Sequence, residues 1–186
     1  KIGYSAEEYI EYYKNVLDYI IKINIEEKKE FYERGTFFML LKILLKIDPN
    51  DLDMRSPCGA GIGQLLYNYN GKIYTCDEGR MVDDDTFKIG DVGKNSYEEM
   101  VGSDIVKSMC VASCLDGLAC DRCVYKPYCG VCPVYNYAQH GSLFPQTSCN
   151  DKCKINMGIF DYLFEKLSDE KIKKVFASWT SKYYKY

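Results

Sequence analysis

The sequence is short of basic residues and of histidine. Its 24 lysines and arginines do not outnumber its 27 acidic residues, and the formal net charge is −3. A chain without a basic excess is poorly suited to neutralise a phosphate backbone, so we expect no nucleic-acid partner. The single histidine, His140, is expected to be a hydrogen-bonded surface group in a loop rather than a catalyst.

Long apolar runs are also missing. The most apolar stretch, TFFMLLKILLKI at residues 36–47, is too short for a bilayer and carries Lys42 and Lys46, which is typical of a buried amphipathic helix. The first residues, KIGYSAEEY, have no secretory signal pattern and do not begin with methionine. We therefore expect a cytoplasmic chain without membrane contact that is cut from a longer protein.

Cysteine, in contrast, is abundant. The 186 residues contain ten cysteines, all of them between positions 58 and 153. This density is below that of small secreted disulfide scaffolds. A cytoplasmic protein with this many thiols typically uses them to bind metal, because exposed free thiols are open to oxidation.

The first 47 residues predict two helices. Ser5 and Glu8 have the spacing of a capping box, and apolar residues then recur at helical spacing as far as Ile21. A second helix on the same pattern is predicted over about residues 26–47, with Gly35 as a possible break.

The segment QLLYNYNGKIYTC, residues 64–76, predicts a β-hairpin. Its two β-rich arms flank Asn70-Gly71, the preferred pair for a two-residue type I′ turn. Such a hairpin folds Cys76 back towards the start of its first arm and so towards Cys58. Two thiols that are distant in sequence can meet there.

The remaining segments complete an α+β fold with a Cys-rich irregular region. After the hairpin we predict a solvated acidic loop, a short strand and a helix with a capping box at Ser96 and Glu99, over residues 81–87, 88–92 and 96–109. Two C-terminal helices are predicted from about Lys154 and from Ser168.

Two CxxC pairs, Cys120 with Cys123 and Cys129 with Cys132, lie only five residues apart. Each pair can direct two sulfurs to one metal centre. A zinc ribbon separates its two pairs by about 12–20 residues, so this short gap indicates that the pairs serve partly different centres. Two four-iron clusters would use most of the ten thiols, while a single zinc site or a disulfide scaffold remains the alternative.

The cysteine spacing resembles the SPASM domain of radical SAM peptide-modifying enzymes. The matching pattern is Cys58, twelve residues, Gly71, four residues and Cys76, followed by the two CxxC pairs and a later cysteine before a helix; it covers about residues 56–166. The stretch CVASCLDGLACDRCVYKPYCGVCPVYNYA is similar to maturases of the His-Xaa-Ser type. One departure is that the family more often has three residues between its last two clustered cysteines, where this chain has two.

The resemblance implies two [4Fe-4S] clusters. Cluster I would be bound by Cys58, Cys76 and Cys132, and cluster II by Cys120, Cys123, Cys129 and Cys153, with Cys149 as the alternative to Cys153. The fourth position of cluster I would be filled by Cys110, Cys114 or Cys149, or an iron would stay open to a substrate group. GAGIG, residues 59–63, then predicts a backbone packed close to a cluster rather than a phosphate-binding loop.

The CxxxCxxC motif with which radical SAM enzymes cleave S-adenosylmethionine is absent. Gly117 and Asn156 stand where Cys110-x3-Cys114 and Cys149-x3-Cys153 would need a third cysteine. The resemblance therefore implies the C-terminal part of an enzyme whose missing N-terminal domain carries S-adenosylmethionine and a third cluster. Residues 1–50 would be a helical bridge, 51–167 the SPASM domain and 168–186 a C-terminal helix and tail.

The function implied is modification of a ribosomally made precursor peptide. The clusters would position the peptide or transfer electrons, and a flavodoxin- or ferredoxin-type protein would be the reductant. Alone, the chain is expected to be inactive. The alternative is a zinc-bound structural or interaction module without a redox role.

Overall fold

The computed structural model describes residues 3–49, 51–52, 54–144, 150–181 and 183. The α-helices, numbered in chain order, are α1 Ala6–Glu26, α2 Arg34–Leu40, α3 Asp77–Arg80, α4 Tyr97–Val101, α5 Asp104–Ser113, α6 Pro133–His140, α7 Asp151–Leu167 and α8 Glu170–Thr180. The strands are β1 Leu66–Tyr67, β2 Lys72–Tyr74 and β3 Lys88–Asp91. A π-helical segment, Leu41–Leu45, continues α2, and two 3-10 turns lie at Leu115–Gly117 and Ala119–Arg122. The fold class is α+β, as predicted.

The chain forms two compact units. One consists of Lys1–Pro49 with Ser148–Tyr186, and the other of Asn50–Thr147. Helix α7 thus belongs to the same unit as α1, whereas the sequence analysis assigned residues 51–167 to one domain. The domain boundaries given there remain predictions. Over the described ranges, no helix combines the length and the apolar character that crossing a membrane requires.

The first unit is helical and is built on the capped helix α1. The predicted capping box is confirmed, because the Ser5 hydroxyl accepts the Glu8 N–H and the Glu8 carboxylate accepts the Ser5 N–H. Helix α7 approaches α1 closely at Gly158, where an added Cβ would lie 2.5 Å from Ile10 Cδ1. The largest fully buried side chains of this first unit are Leu17, Leu40, Leu41, Phe160, Leu163, Phe176 and Trp179.

The second helix is shorter than predicted. It begins at Arg34 rather than near residue 26. Lys28 has a φ of 52°, which a continuous right-handed helix cannot contain, and the Asn24 amide donates to a carbonyl seven residues later at 2.7 Å. The Glu33 carboxylate then caps the new helix. Gly35 lies in the first turn and is not a break.

The second unit contains the predicted hairpin, but its turn differs from the prediction. Strands β1 and β2 are antiparallel, and Tyr67 lies opposite Ile73. The Asn68 N–H donates to Lys72 O at 2.9 Å, which leaves three residues in the loop rather than two. Gly71 has a φ of 82°, the left-handed position that a three-residue hairpin loop requires.

Strand β3, predicted from KIGDV, pairs antiparallel with β2 and completes a sheet in the order β1-β2-β3. The predicted helix over residues 96–109 is interrupted, because α4 ends at Gly102 and α5 starts afresh after Ser103. The capping box of Ser96 and Glu99 is confirmed.

Helix α3 packs tightly at Gly79, directly after β2. An added Cβ there would lie 2.9 Å from Phe87 Cβ and 2.9 Å from Thr75 Oγ1. Phe87 and Thr75 are both fully buried, so neither side chain can move aside. The absence of a side chain at position 79 therefore lets the turn after Cys76 rest on the core.

We predict that Gly79→Ala lowers the free energy of unfolding by about 1–3 kcal/mol, the typical cost of overpacking a core. The measurement is urea unfolding followed by circular dichroism. Gly117→Ala is the matched control, because its added Cβ would meet open space among the described residues, and it should change the free energy by less than about 0.5 kcal/mol. Equal stability of the two variants would contradict the prediction.

Candidate metal centre

Cys58, Cys76 and Cys132, the ligands predicted for cluster I, pack against one apolar cluster. Its buried residues include Ala60, Phe87, Met109 and Val134 together with Cys76 itself, and Cys58 and Cys132 lie against it partly buried. The sulfurs come from three separate parts of the chain. The structure therefore brings these three thiols to one region.

Backbone contacts tie these three parts of the chain together. The Gly61 N–H, three residues after Cys58, donates to Thr75 O at 2.9 Å, next to Cys76. Gly130, between the last two clustered cysteines, lies beside Ser56, because an added Cβ would be 3.4 Å from Ser56 Cβ, an ordinary van der Waals distance. Gly61 has a φ of 79°, so the loop after Cys58 needs glycine at this position.

Cys76 and Cys132 both stand at the N-cap of a helix, with their sulfurs accepting hydrogen bonds. The Gly79 N–H donates to Cys76 Sγ at 3.3 Å, and the Tyr135 N–H donates to Cys132 Sγ at 3.4 Å. Helix N-termini and N–H donors stabilise a thiolate. Hydrogen bonds from N–H groups to the sulfurs also adjust the reduction potential of an iron–sulfur cluster.

Burial opposes ionisation of Cys76 when no metal is bound. It raises the pKa of this thiol to about 12, although the N–H of Gly79 and the hydroxyl of Thr75 act in the opposite direction. A thiol with this pKa stays protonated and unreactive at neutral pH. A bound metal would displace its proton, because a coordinating thiol is deprotonated outright.

Cys120, Cys123 and Cys129, predicted for cluster II, lie in a loop with almost no apolar interior. Between Cys114 and Cys132, Leu115 is the only buried residue. The cysteines are partly buried, while neighbours such as Val124, 77% exposed, face solvent. The thiols thus share the partly buried positions of this loop with Leu118, Tyr125 and Tyr128.

Cys153 and Cys149 are the two candidates for the last ligand. Cys153 lies in α7, in the first unit, and its N–H donates to Asn150 Oδ1 at 3.3 Å. Its sulfur is 3.9 Å from Met157 Sδ. Cys149 lies outside the described residues, so the choice between the two stays a prediction.

Cys110 and Cys114, the further candidates for cluster I, lie at the C-terminal end of α5. Cys110 packs against a second apolar cluster, formed by Ile73, Ile89, Met100 and Val106. Cys114 ends α5 and opens the 3-10 turn that leads towards Cys120. Cys110 thus packs in a different cluster from Cys58, Cys76 and Cys132.

Among the described residues, no three Cys, His, Asp or Glu side chains are arranged to hold a single metal ion. The ligands of a four-iron cluster are spaced more widely than those of a single ion, because each thiolate binds a different iron. Cys76, Cys110, Cys114, Cys123 and Cys132 carry free thiols. The cysteines thus fit an iron–sulfur cluster in donor type and in number.

The acidic loop before β3 is exposed at Asp83 and Asp84, as predicted, and two of its carboxylates are also anchored by hydrogen bonds. The Tyr137 hydroxyl, on α6, donates to Asp84 Oδ2 at 2.5 Å, and its ring packs edge-on against Phe87. Asp85 accepts hydrogen bonds from the Tyr74 hydroxyl and from the Lys72 ammonium. The loop is thereby fastened to β2 and α6, the elements next to Cys76 and Cys132.

His140 also differs from its prediction. It is the last residue of α6 rather than part of a loop. Its Nε2 atom is buried, and no hydrogen-bond partner for it occurs among the residues that the structure describes. The spacing of apolar residues around it could have indicated the helix, but no sequence signal indicates the buried nitrogen.

Comparison with known proteins gives a match in structure alone. No family model matches the sequence, and no curated protein matches it. Native anSMEcpe with bound AdoMet shares the fold, with a TM-score of 0.65 and 18% identity over 91% of this chain and 43% of that one. The same enzyme with AdoMet and the Kp18Cys peptide has a TM-score of 0.65 and 18% identity, over 91% of this chain and 44% of that one. With the Cp18Cys peptide, the TM-score is 0.65 and the identity 19%, over 90% of this chain and 44% of that one.

The enzyme anSMEcpe is an anaerobic sulfatase-maturating enzyme of the radical SAM class with a SPASM domain. This chain therefore has the fold of the SPASM portion of such an enzyme. It spans less than half the length of these structures.

We predict that the anchoring of Asp85 makes stability depend on pH. The Lys72 ammonium and the Tyr74 hydroxyl hold the pKa of this carboxyl below its usual value. Its contribution is complete above the unfolded pKa of about 3.9 and is lost as the pH falls through the lower folded pKa. Asp85→Asn should lower the urea midpoint at pH 7, and its difference from wild type should shrink below about pH 4.

Asp83→Asn is the matched control for this measurement. Asp83 is the exposed neighbour in the same loop, and the substitution removes the same charge. It should leave the urea midpoint at pH 7 unchanged within error. A difference between Asp85→Asn and wild type that stayed constant from pH 7 to pH 3 would refute the role given to the carboxylate.

Proposed function

We propose that this chain is the C-terminal auxiliary-cluster domain of a radical SAM enzyme that modifies a ribosomally made precursor peptide. The observation that carries the proposal is the thiol-lined loop between Cys114 and Cys132, in which Leu115 alone is buried. A segment of this length without an apolar interior needs another source of stability, and a metal centre supplies it in many small domains. The likeness to anSMEcpe supports the same class of protein.

Cys58, Cys76 and Cys132 would hold cluster I. Their common packing against one apolar cluster supports this assignment. The N–H groups of Gly79 and Tyr135 would donate to two of the bound sulfurs. The surrounding apolar residues would limit the access of water, which is a further influence on the reduction potential.

Cys120, Cys123 and Cys129 would hold cluster II, and the resemblance assigns its fourth position to Cys153, with Cys149 as the alternative. When bound, the two clusters would supply electron transfer or an iron site for a substrate group. The chain's own contribution is to orient the thiols, to donate hydrogen bonds to them and to keep water away from Cys76.

Cleavage of S-adenosylmethionine would belong to a part of the enzyme that lies outside this sequence, together with a third cluster. The partner would be a precursor peptide, and two of the related structures do contain a peptide. A flavodoxin- or ferredoxin-type protein would deliver electrons in the cytoplasm. This fragment alone would be inactive.

Metal analysis tests the proposal. The 186-residue chain is purified and reconstituted without oxygen, and iron, acid-labile sulfide and zinc are measured per chain. We expect about eight irons with a similar amount of sulfide, four for each of two clusters. About one zinc without sulfide would overturn the proposal and favour a zinc-bound structural or interaction module.

We predict that Cys120→Ala removes about half of the iron and leaves the rest in place, because this thiol serves cluster II only. Iron and sulfide are again the measurements. Val124→Ala is the matched control in the same loop, since this side chain faces solvent, and it should retain all of the iron. A Cys120→Ala variant with the iron content of wild type would refute the ligand assignment.

A further inference from the structure

Lys126 joins separate turns of the Cys-rich loop. Its Nζ contacts the carboxylate of Asp116 and lies 2.6 Å from Oδ1 of Asp121. The lysine side chain is only 28% exposed, whereas the two aspartate side chains are 75% and 55% exposed. One ammonium group is thus shared by two carboxylates that approach it from the solvent side.

The three charged residues belong to successive turns around Cys120 and Cys123, two of the predicted ligands of cluster II. Asp116 lies in the first 3-10 turn and Asp121 in the second, next to Cys120. The Lys126 N–H donates to Cys123 O at 3.1 Å, and the Cys123 N–H donates to Cys120 O at 3.0 Å. The ion pairs therefore fix the turn that holds Cys120 and Cys123 against the turn that follows Cys114.

These ion pairs matter more here than on an ordinary surface. An exposed salt bridge typically contributes little to stability, because solvent screens it and two side chains lose freedom. In this loop only Leu115 is buried, so few apolar contacts compete with the ion pairs in deciding the conformation. The arrangement of the thiols before metal arrives then depends on the contacts of Lys126.

We infer that Lys126 is a positioning residue for cluster II, an inference that rests on the proposed function. It holds the turn of Cys120 and Cys123 in place, so that these thiols receive the cluster without a large ordering cost. Metal sites whose ligands are held in place by neighbouring groups bind more tightly than sites left to mobile side chains.

The test uses the 186-residue chain, reconstituted without oxygen, in four variants. Lys126→Met removes the ammonium, and Lys126→Arg keeps a cation that can contact both carboxylates. The double variant Asp116→Asn with Asp121→Asn removes the partners and keeps the lysine. Lys107→Met is the matched control, because it removes the same charge from an exposed lysine that pairs with Asp104 at 3.5 Å.

Iron and sulfide per chain, and the electron paramagnetic resonance spectrum after reduction, are the readouts. Lys126→Met and the double aspartate variant should each lose about half of the iron and one of two cluster signals. Lys126→Arg and Lys107→Met should resemble wild type. The selective loss of one cluster, with rescue by arginine, separates a positioning role from a general effect on folding.

Two outcomes would overturn the inference while leaving the proposed function intact. One is a Lys126→Met variant with the full iron content of wild type, and the other is the loss of both clusters together with the circular dichroism signal of the fold. A wild-type chain that binds no iron and sulfide would instead overturn the proposed function, and the inference with it.

Discussion

The structure of the second unit depends on one constraint, which is that its Cys-rich loop must be held together without an apolar core. From Cys114 to Cys132 the thiols are only partly buried, and Leu115 alone is fully buried. A protonated thiol is a small, weakly polar group, so several of them bury little area. The remaining contacts are turns, the ion pairs of Lys126 and whatever the thiols bind. The loop is therefore the part of the fold that gains most from a metal centre.

The elements beside this loop position Cys76 and Cys132, two of the predicted ligands of cluster I. The hairpin and α3 place Cys76 at a helix N-cap, and α6 does the same for Cys132. Gly79 lets α3 rest on Phe87, which also packs against Tyr137 of α6. Each of these contacts serves packing and at the same time fixes a sulfur near an N–H donor. The local fold and the chemistry thus rest on the same residues.

The sequence was most informative where a feature depends on neighbouring residues. The capping boxes at Ser5 and Ser96, the hairpin and strand β3 all follow from local pattern, as does the α+β class. Prediction failed where particular side-chain and backbone contacts override propensity. The second helix begins late because the Asn24 amide binds the backbone between the helices and Glu33 caps the first turn of α2. The hairpin loop has three residues because Asn68 pairs with Lys72.

The polar contacts that sequence reasoning missed share a physical cause. Asp84 with Tyr137, and Asp116 with Lys126, are 53 and 10 residues apart, so no periodic pattern relates them, and an acidic residue in a loop is ordinarily solvated. Both contacts fasten a loop beside predicted ligands, where an apolar core is thin. Partly exposed hydrogen bonds and ion pairs suit this position, because they order a loop while costing little to rearrange.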